Sequence, residues 1–364
     1  MARAYFIVLT ASMLTVGCAG KVVRFEIEND SIAKSGDANY TNGLQINVSP
    51  SGQSYRGQNV WLNRLNVIDS RTKSEIEDDI EEDEAHDGFK NRPIWLDFKF
   101  GQVFYTPDDV TLTNLTDIDK NGRELILDRP FAGFLFGGVD IHNLELGGSD
   151  LADWTGDQRR TVSWRLGITG SASLSEDAQS YYHNDVCDCG GDPVGWVNQV
   201  GSELGLIVSV EQQNRLWHRY KKDVIQELPV VADFSSLVKG SIGNIFTGLE
   251  VGGIFRIGLN PPRAALEDTI TDVVGGDQKN KYSLYVFSRL SARTVFRDFS
   301  LDGRLFSSDI HTIEPEVLVL EGQLGISAEI WKVGFSASLA RRTNQFVTQR
   351  GPHTFGTVDL SYSF

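Results

Sequence analysis

From residue 22 onward the chain returns again and again to one pattern, apolar and polar residues alternating with a period of two. Val162, Trp164, Leu166 and Ile168 alternate with Thr161, Ser163, Arg165 and Gly167. Leu318, Leu320, Leu324, Ile326, Ala328 and Ile330 alternate with Val319, Glu321, Gln323, Gly325, Ser327 and Glu329. Such alternation sends one set of side chains to each face of a β-strand. Twelve segments of this kind are predicted, centred on 22–28, 43–49, 94–104, 131–141, 161–169, 204–212, 231–239, 245–258, 282–291, 317–330, 333–340 and 354–364. The polar set includes Arg165, Glu250, Arg256, Arg289 and Glu321, so that face meets water.

Two architectures bury one face of many alternating strands. A soluble sandwich or barrel packs that face inward, whereas a transmembrane barrel turns it outward to lipid around a polar lumen. The even strand count favours the second, and so does the last strand. It carries Val358, Leu360, Tyr362 and Phe364 on one face and Thr357, Asp359, Ser361 and Ser363 on the other. An aromatic residue at the very end of such a strand resembles the signal by which bacterial outer-membrane barrels are recognised by their assembly machinery. The expected fold is all-β, a twelve-stranded antiparallel transmembrane β-barrel.

Composition narrows the alternatives. The 364 residues include 34 Lys+Arg against 49 Asp+Glu, a net charge of −15, with 40% hydrophobic residues. That apolar share excludes a wholly disordered chain. The acidic balance, with no basic stripe, excludes a nucleic-acid binder. After the first twenty residues, no apolar run approaches the roughly 18 residues a spanning helix requires. Much of the acid lies in one run, Glu75 to Glu84 followed by His86 and Asp87. A run of like charge reads as a solvated segment.

The N-terminus sets the compartment. Arg3, an apolar run from Ala4 to Val16 and the small residues Gly17-Cys18-Ala19-Gly20 form a secretory signal peptide. Cleavage after Ala19 makes residues 1–19 the signal and 20–364 the barrel. Lipidation at Cys18 is the competing reading. The other cysteines, Cys187 and Cys189, are too close for an unstrained disulfide and too few for a zinc site.

With a periplasmic start, the connections after odd strands fall on the extracellular side: about 28–43, 101–130, 170–203, 239–244, 292–316 and 341–353. The 51–93 connection is then periplasmic. One extracellular connection carries a predicted helix. Ser173 and Glu176 have capping-box spacing, and Gly190, Gly191 and Pro193 end the segment. Gln179 and His183, four apart, would share one helical face. His183 has the strongest claim to proton transfer near neutral pH, set against an ordinary exposed loop histidine. Asn29-Asp30 closes the first strand at the same rim, where plain turn chemistry is the competing reading. There is no Gly-x-Ser-x-Gly elbow, zinc helix or phosphate-binding loop.

These residues fall into a pattern. Glu28-Asn29-Asp30, Tyr40-Thr41-Asn42-Gly43, Gly101-Gln102 with Tyr105-Thr106-Pro107, and Asp128-Arg129-Pro130-Phe131-Ala132-Gly133 come first. Gln179-x-x-x-His183, Gly195-Trp196-x-Asn198-Gln199 with Glu203, and Gly243-Asn244-x-Phe246-Thr247 follow. Arg256-x-Gly258-x-Asn260, Arg342-Thr343 and Gly351-Pro352-His353 complete the set. Together they resemble the outer-membrane lipid A 3′-O-deacylases of Gram-negative bacteria, over nearly the whole chain after the signal.

The resemblance implies a calcium-dependent esterase site between the barrel rim and a loop helix. It acts on the 3′-O-linked acyloxyacyl group of lipid A, with lipopolysaccharide as substrate and the outer-membrane bilayer as surroundings. It makes His183 the general base, with Gln179 and Asn29 beside it in the catalytic set. Asp30 and Glu203 become calcium ligands, and Thr41 and Arg129 substrate contacts. The Cys187-Asp-Cys189 stretch departs from the family pattern. Two other functions compete: a barrel without catalysis, either a pore or a surface-interaction protein, and the same chemistry on glycerophospholipid. The Ser/His pairing of outer-membrane phospholipases is not visible.

Overall fold

A computed structural model describes residues 21–32, 39–50, 94–111, 113, 116–118, 124–126, 128–145, 147, 155–187, 193–225, 228–263, 282–309 and 311–364. The signal peptide, the 51–93 connection, Cys189, Gly190 and Gly191 lie outside these residues. Among the described residues there are fourteen strands: β1 (Lys21–Asn29), β2 (Asn39–Pro50), β3 (Ile94–Thr106), β4 (Thr116–Ile118), β5 (Glu124–Ile126), β6 (Ala132–Glu145) and β7 (Gln158–Thr169). They continue with β8 (Leu204–Ile225), β9 (Leu228–Gly243), β10 (Phe246–Leu259), β11 (Tyr282–Asp298), β12 (Leu318–Ile330), β13 (Val333–Arg342) and β14 (His353–Ser363). Twelve of them close an antiparallel barrel, β1 pairing with β14 on one side and β2 on the other. The short β4 and β5 form a separate ribbon in the β3–β6 connection.

Every predicted segment lies on a barrel strand. The bounds differ most in β8, which continues through Ile225 past the expected Gln212. There the alternation fades into Gln212, Gln213, Asn214 and Arg215, and a register shift follows between Arg215 and Trp217. A strand that leaves the apolar slab loses its period-two signature without losing its hydrogen bonds.

The two faces are sorted as lipid and water require. Phe25, Ile27, Phe98, Phe100, Leu284, Val286, Leu324, Ile326, Leu360 and Tyr362 are exposed on the outer wall. The residues between them turn inward and pair. Arg24 donates to Asp359 across the β1–β14 seam at 2.8 Å, and Lys99 and Arg165 share Asp140. Arg289 and Arg293 share Glu250, and Arg342 pairs with Glu321. Ion pairs between neighbouring strands therefore line the lumen at several levels.

The rims differ. At the terminal rim, where β1 begins and β14 ends, Asp157 accepts from both Arg215 and Arg263, and Asp233 accepts from Arg256. Asp157, Arg215, Asp233 and Arg256 are buried. The opposite, loop rim carries helix α1 (Ser175–Tyr181) and the short helix α2 (Phe299–Asp302). Phe299 of α2 packs inward with Ala132, Phe134, Val200 and Ile245, capping the lumen.

Candidate functional site

The direction in which β1 and β3 point their side chains decides where the site lies. Phe25 and Ile27 face outward, so Asn29, next in the same alternating set, also faces outward. Asn29 pairs with Asn42 of β2, Asn42 with Phe104 of β3, and Phe104 with Gly133 of β6. These four residues form one row across the outer wall at the loop rim. Strand spacing puts β1 and β3 only about 10 Å apart.

The loop from Gly170 to Gln199 folds down onto this row. Helix α1 packs against β3 and β6. It can do so because Gly133 has no side chain: a Cβ there would stand 2.2 Å from the Ser175 hydroxyl and 2.3 Å from that of Ser173. Gln102 donates to the Ser173 carbonyl at 2.6 Å, fastening the start of the loop to the wall. Phe104, Phe131 and Trp196 make a buried cluster with Ala178 of α1 against it. Trp196 lies in a 3₁₀ turn, Val194–Asn198, whose Gly195 N–H donates to the Val110 carbonyl.

The expected capping box is not formed. Ser173 belongs to a preceding 3₁₀ turn, Gly170–Ser173, and its hydroxyl donates back to the Gly170 carbonyl at 2.6 Å. The helix instead begins after Leu174, which takes a left-handed conformation (φ 58°) without capping by its side chain. Beyond Tyr181 the helix widens into a π-turn, Tyr182–Cys187, that carries His183. Such turns recur at functional sites because they re-aim a side chain within a helix.

Gln179 in α1 and His183 in the π-turn are both buried, His183 at 5% exposure. This is not the ordinary exposed loop histidine. The Gln179 Oε1 accepts from the Trp196 indole N–H at 2.7 Å. Across the row, the Asn29 Oδ1 accepts the Ser31 N–H at 2.6 Å, an Asx turn. That turn starts the 3₁₀ segment Asp30–Ile32, whose Asp30 is buried. Thr41 lies in the bulge of β2 between Tyr40 and Asn42. The Asn42 Oδ1 is buried without a hydrogen-bond partner among the described residues. The sequence reading missed Asn42, although its pairing opposite Asn29 follows from the hairpin.

Two of the expected site residues lie elsewhere. Arg129 is fully buried on the lumen side, over the Tyr105 ring at 4.5 Å, and donates to the Ser300 hydroxyl at 2.6 Å. Tyr105 and Phe104 are neighbours on one strand and face opposite sides. Arg129 and His183 are thus separated by the barrel wall. Burial draws the Arg129 guanidinium below its ordinary pKa, against the opposing charges of Asp298, Tyr105 and Asp128. Glu203 is engaged in joining loops. It accepts from Asn244 Nδ2 at 2.6 Å and from the Phe306 N–H at 2.8 Å. Burial works to raise its pKa, but the Phe306 N–H, the Asn244 amide, the Leu305 N–H and the Arg297 charge lower it on balance.

The described residues hold no group of three or more His, Cys, Asp or Glu arranged to hold a metal. Oxygen donors stand in and next to the row: the Asn42 amide carbonyl within it and the Asp30 carboxylate one residue past Asn29. Carboxylate and amide oxygens suit a hard cation such as calcium. A cavity of about 320 Å³ lies inside the lumen, lined by Tyr105, Phe134, Arg165, Glu250, Arg293 and Phe299, on the other side of the wall from this row.

A family model described as outer membrane protein LpxR matches residues 4–364. Among solved structures, LpxR from Salmonella typhimurium is similar with a TM-score of 0.65 and 17% identity, covering 94% of this chain and 100% of that one. The β domain of the Bordetella autotransporter BrkA aligns at a TM-score of 0.39 and 9% identity, covering 95% of this chain and 99% of that one. No curated protein sequence matches the chain.

Proposed function

The chain belongs to the family of the outer membrane protein LpxR, and we propose that it is a lipid A 3′-O-deacylase working from the outer wall of its barrel. It is an outer-membrane protein, and in this reading the loop rim faces the cell exterior. The observation that carries the proposal is the outward row Asn29–Asn42–Phe104–Gly133, with α1 packed against β3 and β6 of that wall and His183 buried in the turn that continues α1. A pore has no use for a buried histidine in a helical segment held against its outer wall. An ester in the surrounding leaflet reaches an outward site by moving sideways, without crossing the wall.

His183 takes a proton from water, which attacks the ester carbonyl, and then returns it to the departing 3′ oxygen of the sugar. Release of the free acyloxyacyl acid completes the hydrolysis. Asn29 fixes the turn that presents Asp30, and Gln179 fills the helical face beside the base. Asp30 and Asn42 are the residues that would hold a calcium ion. When bound, the ion supplies positive charge to the ester oxygen as negative charge develops there. Thr41, beside Asn42, is kept as a substrate contact. Glu203 is left out of this set because its carboxylate holds loop groups, and Arg129 because it lies on the lumen side of the wall.

Mass spectrometry of lipid A from cells expressing the protein tests the reading. The wild type should remove the 3′ acyl mass in calcium and fail to do so in chelator. His183→Ala should lower the rate by about 10²- to 10⁴-fold, and Asp30→Ala should raise the calcium requirement. Unchanged lipid A beside folded wild-type barrel would sink the proposal.

A further inference from the structure

The Gly195-Trp196-x-Asn198-Gln199 stretch has no part in the chemistry proposed above, yet one of its residues touches that chemistry directly. Trp196 and Gln179 are each 1% exposed, and the indole N–H donates to the Gln179 Oε1 at 2.7 Å. The two ends of a glutamine amide have nearly the same size but opposite hydrogen-bonding character. An indole nitrogen only donates, so the amide oxygen must face it. The Gln179 NH₂, with both of its donors, is thereby turned away from the indole. We infer that Trp196 is a positioning residue that sets the orientation of the Gln179 amide, so that Nε2 serves the His183 side of the site as a hydrogen-bond donor. This inference rests on the deacylase reading for its catalytic consequence, but not for the orientation itself.

The surroundings give the indole little freedom to do otherwise. Its ring is held at 5.0 Å from Phe131 and 6.2 Å from Phe104, centroid to centroid. Gly195 is fixed by its N–H to the Val110 carbonyl, and Gln199 by its N–H to the Trp196 carbonyl. A buried indole N–H requires an acceptor. Here that acceptor is a side chain one helical turn before the base, and not a backbone carbonyl. Packing alone would be served by phenylalanine, which fills the same apolar cluster but leaves the amide free to turn.

Trp196→Phe separates the two roles. In purified full-length protein with lipid A, kcat should fall on the order of 10- to 100-fold, as when a partner that orients an active-site group is lost. KM should be unchanged. Gln179→Glu keeps an acceptor for the indole but has no N–H to give, and should lose kcat to a similar extent. The double variant should be no worse than Gln179→Glu alone, because the two act as one unit. Heat-modifiable electrophoretic mobility checks that each barrel is folded. Full kcat in folded Trp196→Phe, or additive losses in the double variant, overturns the inference while His183→Ala still reports on the deacylase reading.

A second measurement is independent of turnover. The Trp196 indole N–H resonance should be protected from solvent exchange in the wild type and in Gln179→Glu, and lose protection in Gln179→Ala. If the wild type proves inactive on lipid A, this resonance still decides the orientation. Unprotected in the folded wild type, it overturns the inference; protected there and exposed in Gln179→Ala, it supports it.

Discussion

Gly133 shows how much one absent side chain can place. The helix that carries Gln179 and leads to His183 lies where a Cβ on Gly133 would enter the Ser173 and Ser175 hydroxyls. Gly133→Ala leaves the strand able to pair, since the position does not need a left-handed backbone. The expected result is a folded barrel with α1 pushed off the wall and activity reduced about 10²-fold, the cost of misplacing a catalytic group by roughly 1 Å. Turnover measured beside heat-modifiable mobility checks this, and unchanged kcat would refute it. At this scale the sequence was readable for Asn29, because Phe25 and Ile27 fix its parity. Arg129 was not. Its neighbour Ser300 is 171 positions away, and only the closed barrel brings them together.

Elements were legible where one physical constraint governed each residue. A strand between lipid and water must alternate, and all twelve barrel strands did. The connections obey no such rule. The Ser173–Glu176 spacing looked like a capping box, but Gln102 and Gly170 claim the Ser173 segment first, and the helix starts two residues later. Helix α2 escaped notice because four residues are too few to show a period. The loop after α2 gives a pH prediction. Glu203 holds the Leu305 and Phe306 N–H groups, and its pKa is lowered in the folded protein. The anchorage is therefore complete above the ordinary glutamate pKa and is lost as pH falls through the lower folded value. The protection factor of the Phe306 amide, exchange corrected for its intrinsic pH dependence, should fall on acidification below about pH 4, and Glu203→Gln should remove that fall. A protection factor indifferent to pH across this range would show that other contacts hold the loop.

Across the whole molecule, the barrel keeps its proposed chemistry and its buried ion-pair cluster at opposite rims. The proposed site uses the outside of the wall at the loop rim, while at the terminal rim Asp157, Arg215, Arg263, Asp233 and Arg256 tie the β7–β10 sector together. The −15 of the full chain says nothing of this local arrangement, in which three guanidinium groups share two buried carboxylates. Such a cluster contributes little net stability against an apolar replacement, but removing one partner strands a buried charge. Asp157 is the partner whose loss matters most, because it accepts from Arg215 and Arg263 and its backbone carbonyl accepts the Arg215 N–H at 2.8 Å. Asp157→Ala keeps that backbone bond and leaves both guanidinium groups without their carboxylate, a cost of about 3–5 kcal/mol. Thermal unfolding followed by heat-modifiable mobility should therefore show a marked loss of stability, with kcat of the surviving folded fraction unchanged. A fall in kcat at full stability would mean that the two rims are coupled, and that the wall between them transmits what this arrangement requires it to isolate.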